Sequence, residues 1–243
     1  MASKTARGVF LVWAARLLLA VALLPVPFVA AQESVKPGIN DAFLEPQLEV
    51  AEWVERFEGE SREIFRLRRE IVDALALQPG MSVADVGAGT GLFVPLLSGA
   101  VGAQGRVFAV EISPGFAAHL RDRVAEARLE NISVVLAPER SVTLPEASID
   151  LVFVCDVYHH FEYPNDSLAS IWRALRPGGR LVVLDFERIP GVSRDFVLEH
   201  VRAGKQTFTD EIRRAGFELV AEVELEGLEE NYFLSFRRLP AAP

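Results

Sequence analysis

The sequence predicts an α/β fold, a seven-stranded, mostly parallel sheet with helices on both faces and a C-terminal antiparallel strand pair. Three observations predict it. Short apolar, β-branched runs alternate with helical patterns between residues 82 and 186. One run feeds directly into a glycine-rich turn that opens a further helical pattern. The last two strand-like runs, 217–225 and 231–237, are separated by a short Gly-containing link that allows antiparallel pairing and no crossover helix.

Residues 1–31 read as a secretory signal peptide. Lys4 and Arg7 precede an apolar run over 17–29, and Val29-Ala30-Ala31 fits a small-x-small cleavage signal before Gln32. Arg16 interrupts the apolar stretch and Pro25 and Pro27 break its end, leaving too little for a comfortable membrane span. An uncleaved N-terminal anchor facing the periplasm is the alternative. Both readings export the domain, to the periplasm, because the positive charges sit on the N-terminal side.

The chain of 243 residues is half hydrophobic, enough for one sizeable core. Its formal net charge is −9, and without residues 1–31, which hold three bases and no acid, it falls to −12. Such a balance argues against nucleic acid and against an anionic membrane surface as partners. Cys155 is the one cysteine, so no intramolecular disulfide forms and stability rests on the core.

From Gln32 to Pro46 the sequence is irregular and polar, a linker or arm broken at Pro37-Gly38. Trp53, Phe57, Ile64, Leu67, Ile71 and Leu75 then recur at helical spacing, with Ser61 placed to cap a second helix. Residues 32–78 thus form a linker with N-terminal helices, and Trp53, Phe57 and Phe65 are candidates for an apolar lid, a plain packing face being the simpler reading. Pro79-Gly80 ends that section, and 79–243 is the main domain. Its strands are expected at Ser82–Val86, 106–110, Ile132–Leu136, 149–156 and 180–186, with helices over 114–129, 164–175 and 209–215.

The strongest motif is Val83-Ala84-Asp85-Val86-Gly87-Ala88-Gly89-Thr90-Gly91. Glycines here let the backbone approach a ligand and adopt positive φ. Glu111 follows at the end of the next strand, where an acid accepts hydrogen bonds from ribose hydroxyls. The pair indicates an adenosine-containing cofactor at the carboxyl ends of a Rossmann-like sheet. A dinucleotide loop spaces its glycines G-x-G-x-x-G, whereas this one reads G-x-G-x-G with Asp85 two residues ahead. Asp85 there repels a pyrophosphate but suits a cationic amino group and a sulfonium.

This loop resembles motif I of class I S-adenosylmethionine-dependent methyltransferases. The resemblance implies S-adenosyl-L-methionine as cofactor, held by Asp85, Gly87, Ala88, Gly89, Thr90, Gly91, Glu111, Ile112 and Asp156. Glu139, in Ala137-Pro138-Glu139-Arg140, falls where such enzymes contact the adenine, although the family more often has an aspartate near there. Leu175-Arg176-Pro177-Gly178-Gly179 resembles the family's turn into strand five and supports the fold alone. Four strings, Tyr158 to Pro164 (YHHFEYP), Asp185 to Gly191 (DFERIPG), His200 to Lys205 (HVRAGK) and Glu230 to Phe233 (ENYF), resemble a subgroup of exported methyltransferases. More distantly the chain is similar to the quinone-biosynthesis C-methyltransferases.

The end of strand four carries the remaining chemistry. Tyr158, His159 and His160 are the catalytic candidates, set against the plainer reading of a histidine that caps a helix or bonds a carbonyl. Glu187, His200, Lys205 and Tyr232 are substrate candidates, and an ion pair accounts equally well for Glu187. No metal set is expected. Adjacent histidines in an extended segment point to opposite sides, H-x-x-x-H is absent, and the spacing of His119 and His200 asks for no ion. Cys155 reads as a small buried hydrophobe. The function expected is in-line methyl transfer to a small-molecule acceptor. A noncatalytic cofactor-binding protein and a nicotinamide-dependent oxidoreductase are the rivals.

Overall fold

The computed structural model describes residues 32–59 and 62–240. The expected targeting segment 1–31 and the expected cap Ser61 lie outside the described residues.

Seven strands, β1 (Ser82–Val86), β2 (Arg106–Glu111), β3 (Ile132–Leu136), β4 (Ile149–Cys155), β5 (Leu175–Phe186), β6 (Phe217–Glu222) and β7 (Asn231–Arg238), form one sheet. Their order is β3-β2-β1-β4-β5-β7-β6. β1 to β5 are parallel, and β7 runs antiparallel to both β5 and β6. This is the architecture expected from the alternation of runs. β5 begins at Leu175, five residues before the expected start, because the chain pairs Leu175 with Ile149 before a register shift at Leu151.

Among the described residues four short helices come first, α1 (Asp41–Leu44), α2 (Val50–Phe57), α3 (Glu63–Arg66) and α4 (Arg68–Ala74). The crossovers are α5 (Val94–Val101), α6 (Pro114–Glu126) and α7 (Pro164–Ala174), with α8 (Asp195–His200) and α9 (Lys205–Arg214) before the final strands. Pro114 and Pro164 start their helices where a missing N–H costs nothing, and the Ser113 hydroxyl accepts the Phe116 N–H at 3.4 Å.

Period-2 alternation divides the strands between two cores. Leu151 and Phe153 of β4 pack with Leu97 and Val101 of α5, while Val152 and Val154 pack with Leu168 and Ile171 of α7. All eight are completely buried, and each such side chain stabilises the fold by about 1.5–3 kcal/mol. Truncating Leu97 or Ile171 to alanine would cost about 2–5 kcal/mol.

After β3 the chain returns to place β4 beside β1, so the connections diverge at that point and open a crevice above the carboxyl ends of β1 and β4. The stretch read as a linker or arm is fastened across this crevice. The Val35 N–H donates to the Glu162 carbonyl at 2.9 Å, and the Ser34 hydroxyl and Gly38 N–H bind the Glu162 carboxylate at 2.6 and 3.0 Å.

Candidate functional site

The crevice holds a cavity of about 580 Å³, within the range of small-molecule sites. The glycine loop forms its floor. Gly87 has φ 75° directly after β1, and a Cβ there would lie 2.4 Å from a Val157 methyl carbon. Gly91 has φ 90°, with Leu120 2.7 Å from its missing Cβ. Gly87 and Gly91 therefore admit no other residue type without a neighbour moving.

Asp85 projects from β1 into this cavity. It is 3% exposed, and its carboxylate meets no hydrogen-bond donor among the described residues. Burial, and then the neighbouring Glu111 carboxylate, push it from 3.8 up to about 7. Glu111 is treated differently. Its Oε1 accepts the Ile112 and Ser113 N–H groups at 2.8 Å each, and its Oε2 accepts the Gly89 N–H at 2.8 Å. Burial raises this carboxyl and the three N–H groups pull it back. A carboxylate has about four acceptor positions, so Oε2 keeps capacity for one further donor.

Gly87, Ala88, Gly89, Thr90, Ile112 and Asp156 also line the cavity, whereas Gly91 shapes the loop from behind. Asp156 follows β4 at φ 53° and is held by the Arg62 guanidinium and the Asn231 amide. Burial raises it to about 6, against the pull of Arg62. Glu139 lies beside a separate cavity of about 60 Å³ and accepts the Asn40 amide at 3.1 Å. Aromatic rings of Phe43, Trp53, Phe57 and Phe116 pack together along the cavity wall, with Phe43 and Trp53 centroids 4.9 Å apart. Trp53 and Phe57, two of the three lid candidates, line the cavity. Phe65 does not line the cavity and packs under the Arg68 guanidinium instead.

The three catalytic candidates separate. Tyr158 is completely buried away from the cavity, its ring on Phe208 and its hydroxyl donating to Glu211 Oε2 at 3.0 Å. Burial and that carboxylate hold its phenol well above the usual range. It is a structural residue, turned inward because Tyr158–His160 forms a 3-10 turn and not an extended segment. The same turn overturns the argument that the two histidines must diverge. His159 and His160 both face the cavity, with ring centroids 4.3 Å apart.

His200, from the end of α8, completes this wall, its Nε2 3.2 Å from His160 Nε2. His159 Nδ1 meets Asp185 Oδ1 at 2.7 Å, in a pair with side chains 2% and 0% exposed. Burial and the neighbouring rings push His160 down to about 2 and His200 to about 4. The remaining substrate candidates lie elsewhere. Lys205 is paired with Glu187 at 2.5 Å and Glu222 at 2.8 Å, and Tyr232 is buried in β7. Cys155 borders the cavity, but burial and Asp156 keep its thiol protonated.

Several cavity residues were not singled out from sequence. Asn40, Phe43, Arg62 and Phe196 arrive from segments 94 to 120 positions away from their partners or from a surface helix. Only folding brings them there. Asp185 was visible at the tip of strand five, but nothing local showed that it faces His159.

Comparison with known proteins agrees with this geometry. Residues 84–183 match the family model described as a methyltransferase domain. The chain is 28% identical over 123 residues to the ubiquinone/menaquinone biosynthesis C-methyltransferase UbiE of Hydrogenovibrio crunogenus, covering 50% of this chain and 48% of that protein. It is 31% identical over 128 residues to the UbiE of Methylococcus capsulatus, covering 52% of each. The chain thus spans about half the length of the curated relatives it matches. Among solved structures, a SAM-dependent methyltransferase from Aquifex aeolicus superposes with TM-score 0.69 at 23% identity, over 77% of this chain and 98% of that one. Geranyl diphosphate C-methyltransferase from Streptomyces coelicolor gives TM-score 0.62 at 14% identity, over 86% and 88%. Residues 84–183 thus match a methyltransferase domain, in a chain similar over half its length to the UbiE C-methyltransferases and similar in fold to a SAM-dependent methyltransferase.

Proposed function

We propose that this protein binds S-adenosyl-L-methionine and transfers its methyl group in line to a small-molecule acceptor. The single observation that carries the reading is Asp85, a buried carboxylate facing a cavity with no donor of its own beside a glycine-lined cradle. Such a group costs stability unless a cation meets it. The residues fit the cofactor. Asp85 would meet its cationic amino group, Glu111 Oε2 would accept a ribose hydroxyl, and the loop backbone would run along it. When bound, the cofactor supplies an activated methyl on a sulfonium.

The chain's own contribution is placement. The rings of Phe43, Trp53, Phe57 and Phe116 exclude water and favour a flat, partly apolar acceptor between the cofactor floor and the histidine wall. Holding the partners in line supplies several kcal/mol of the barrier, on the order of 7–11 at most. An acceptor that must lose a proton, a phenol or a carbon acid, would present its acidic group to the wall of His159, His160 and His200. The relatives named as quinone-biosynthesis C-methyltransferases support a small-molecule acceptor of this kind.

Export is also proposed, from the composition of residues 1–31; among the described residues no helix is long and apolar enough to cross a membrane. Fractionation of cells carrying a tagged chain, with processing read by the mass of the exported form, tests it. For the activity, calorimetric titration of the purified protein with S-adenosyl-L-methionine and with NAD comes first. Binding of NAD in preference to S-adenosyl-L-methionine would refute the reading. Incubation with labelled cofactor and a cell-envelope extract then identifies the product, and cofactor binding with no transfer to any fraction would favour a noncatalytic role.

A further inference from the structure

His159, His160 and His200 converge from two elements, the 3-10 turn Tyr158–His160 and the end of α8. One ring nitrogen from each lies within 4.8 Å of those of the other two. The Nε2 atoms of His160 and His200 are 3.2 Å apart. Two metal–nitrogen bonds of ~2.0–2.1 Å in a tetrahedron place their nitrogens roughly 3.3 Å apart, so this edge needs almost no adjustment.

The second shell determines which nitrogens point inward. Asn40 Nδ2 donates to Glu139 Oε1 and to the His160 carbonyl, both at 3.1 Å, which leaves Asn40 Oδ1 as an acceptor 3.2 Å from His160 Nδ1. His160 therefore carries its proton on Nδ1 and its lone pair on Nε2. Asp185 Oδ1 likewise takes the Nδ1–H of His159 at 2.7 Å, freeing the other ring nitrogen. Carboxylate and carbonyl oxygens behind Nδ1 are what orient histidines as metal ligands. Asp185 is also completely buried, and Lys36 donates to the Glu199 and His200 carbonyls.

We infer that His159, His160 and His200 form a site for a zinc-class divalent ion, with an open fourth position facing the methyl-transfer cavity. An all-imidazole set selects zinc, cobalt, nickel or copper over magnesium or calcium. All three rings line the cavity that Asp85 enters, so the fourth ligand comes from the acceptor side. That ligand is an oxygen of the acceptor bound as an anion, its O–H proton passing to solvent as the metal–oxygen bond forms. The ion itself is inferred independently of methyl transfer; only the identity of the fourth ligand rests on the function proposed above.

The test uses the full chain without tag histidines, stripped by chelator and titrated with Zn(II) against a chromophoric competitor, no cofactor being present. One ion per chain is expected, and the Co(II)-loaded protein should show the visible bands of a tetrahedral site. His200→Ala, at a partly exposed helix end, should weaken binding by more than about 100-fold, and Asn40→Ala by roughly tenfold as an outer-shell change. His119→Ala, at the fourth histidine of the chain, should leave affinity unchanged. Acetohydroxamate, a bidentate oxygen probe, should shift the Co(II) spectrum. No stoichiometric Zn(II) binding, or equal affinity in wild type and His200→Ala, would overturn the site and leave a plain His160–His200 hydrogen bond. Full loading with a spectrum indifferent to acetohydroxamate would overturn the open position. Methyl transfer is measured separately, so its absence bears on the proposed function and not on the ion.

Discussion

Replacing Asp85 with asparagine should stabilise the ligand-free protein while destroying its cofactor affinity. The carboxyl sits at about 7 in the fold against an ordinary 3.8. Because its folded value is raised, the cost of the charge is absent below the lower value, grows with pH and is complete above the upper one. At ~1.36 kcal/mol per pH unit, the full cost is about 4 kcal/mol, of which about 2.3 kcal/mol accrues between roughly pH 5 and pH 7. Asparagine has nearly the same shape and no charge, and relief of Glu111 from a like neighbour adds in the same direction. Urea unfolding of wild type and Asp85→Asn, from about pH 5 to about pH 8, isolates this contribution because other titrations cancel in the difference. The variant's relative stability should rise by about 2–3 kcal/mol across that interval and level off above it. A difference that is flat, or that falls with pH, would show that Asp85 is already compensated in the fold and would remove the basis for the cofactor reading. Gain of stability with retained affinity would refute the role in binding.

The same group gives a pH profile for binding. A cationic cofactor selects the ionised carboxyl, so affinity for S-adenosyl-L-methionine should weaken toward tenfold per unit as pH falls below about 7, read by calorimetry; a flat profile would contradict it. Gly87→Ala faces both a positive φ and the Val157 methyl, and should lose more than about 2 kcal/mol together with cofactor affinity. Gly99→Ala, in the interior of α5 with open space at its Cβ, should instead gain up to about 1 kcal/mol in the same melt. Tyr158→Phe should leave turnover unchanged and cost about 1–2 kcal/mol, because Arg202 still binds Glu211 at 2.8 and 2.6 Å. A loss of turnover at unchanged stability would return Tyr158 to the catalytic list.

Much of this molecule follows from local sequence. Runs such as Ser82–Val86 and Ile132–Leu136 match their strands to the residue, the first because a central parallel strand is buried, the second, an edge strand, because its β-branched residues favour extended backbone. The glycine spacing and the acid at Glu111 mark the floor of the cavity for a similar reason: a tight strand-to-helix turn has few chemical solutions. The wall opposite was legible only as a list of polar residues. Whether His159 and His160 diverge or converge depends on Asp156 turning at φ 53° and on the 3-10 turn that follows, and a single-residue change in backbone winding rotates every ring after it. Tyr158 was drawn inward by Glu211 and Phe208, more than fifty and exactly fifty positions later.

Pairing across the chain decided the rest. Arg62 on Asp156, Asn40 on His160, His200 on His160 and Asp185 on His159 each join distant segments, and none leaves a local signature. Periodicity and turn chemistry are short-range constraints, so the sequence alone determined the sheet, its helices and the loop that floors the cavity. The protonation of the buried carboxyls and the meeting of three imidazoles arise from burial and from long-range contacts, which exist only once the sheet has closed.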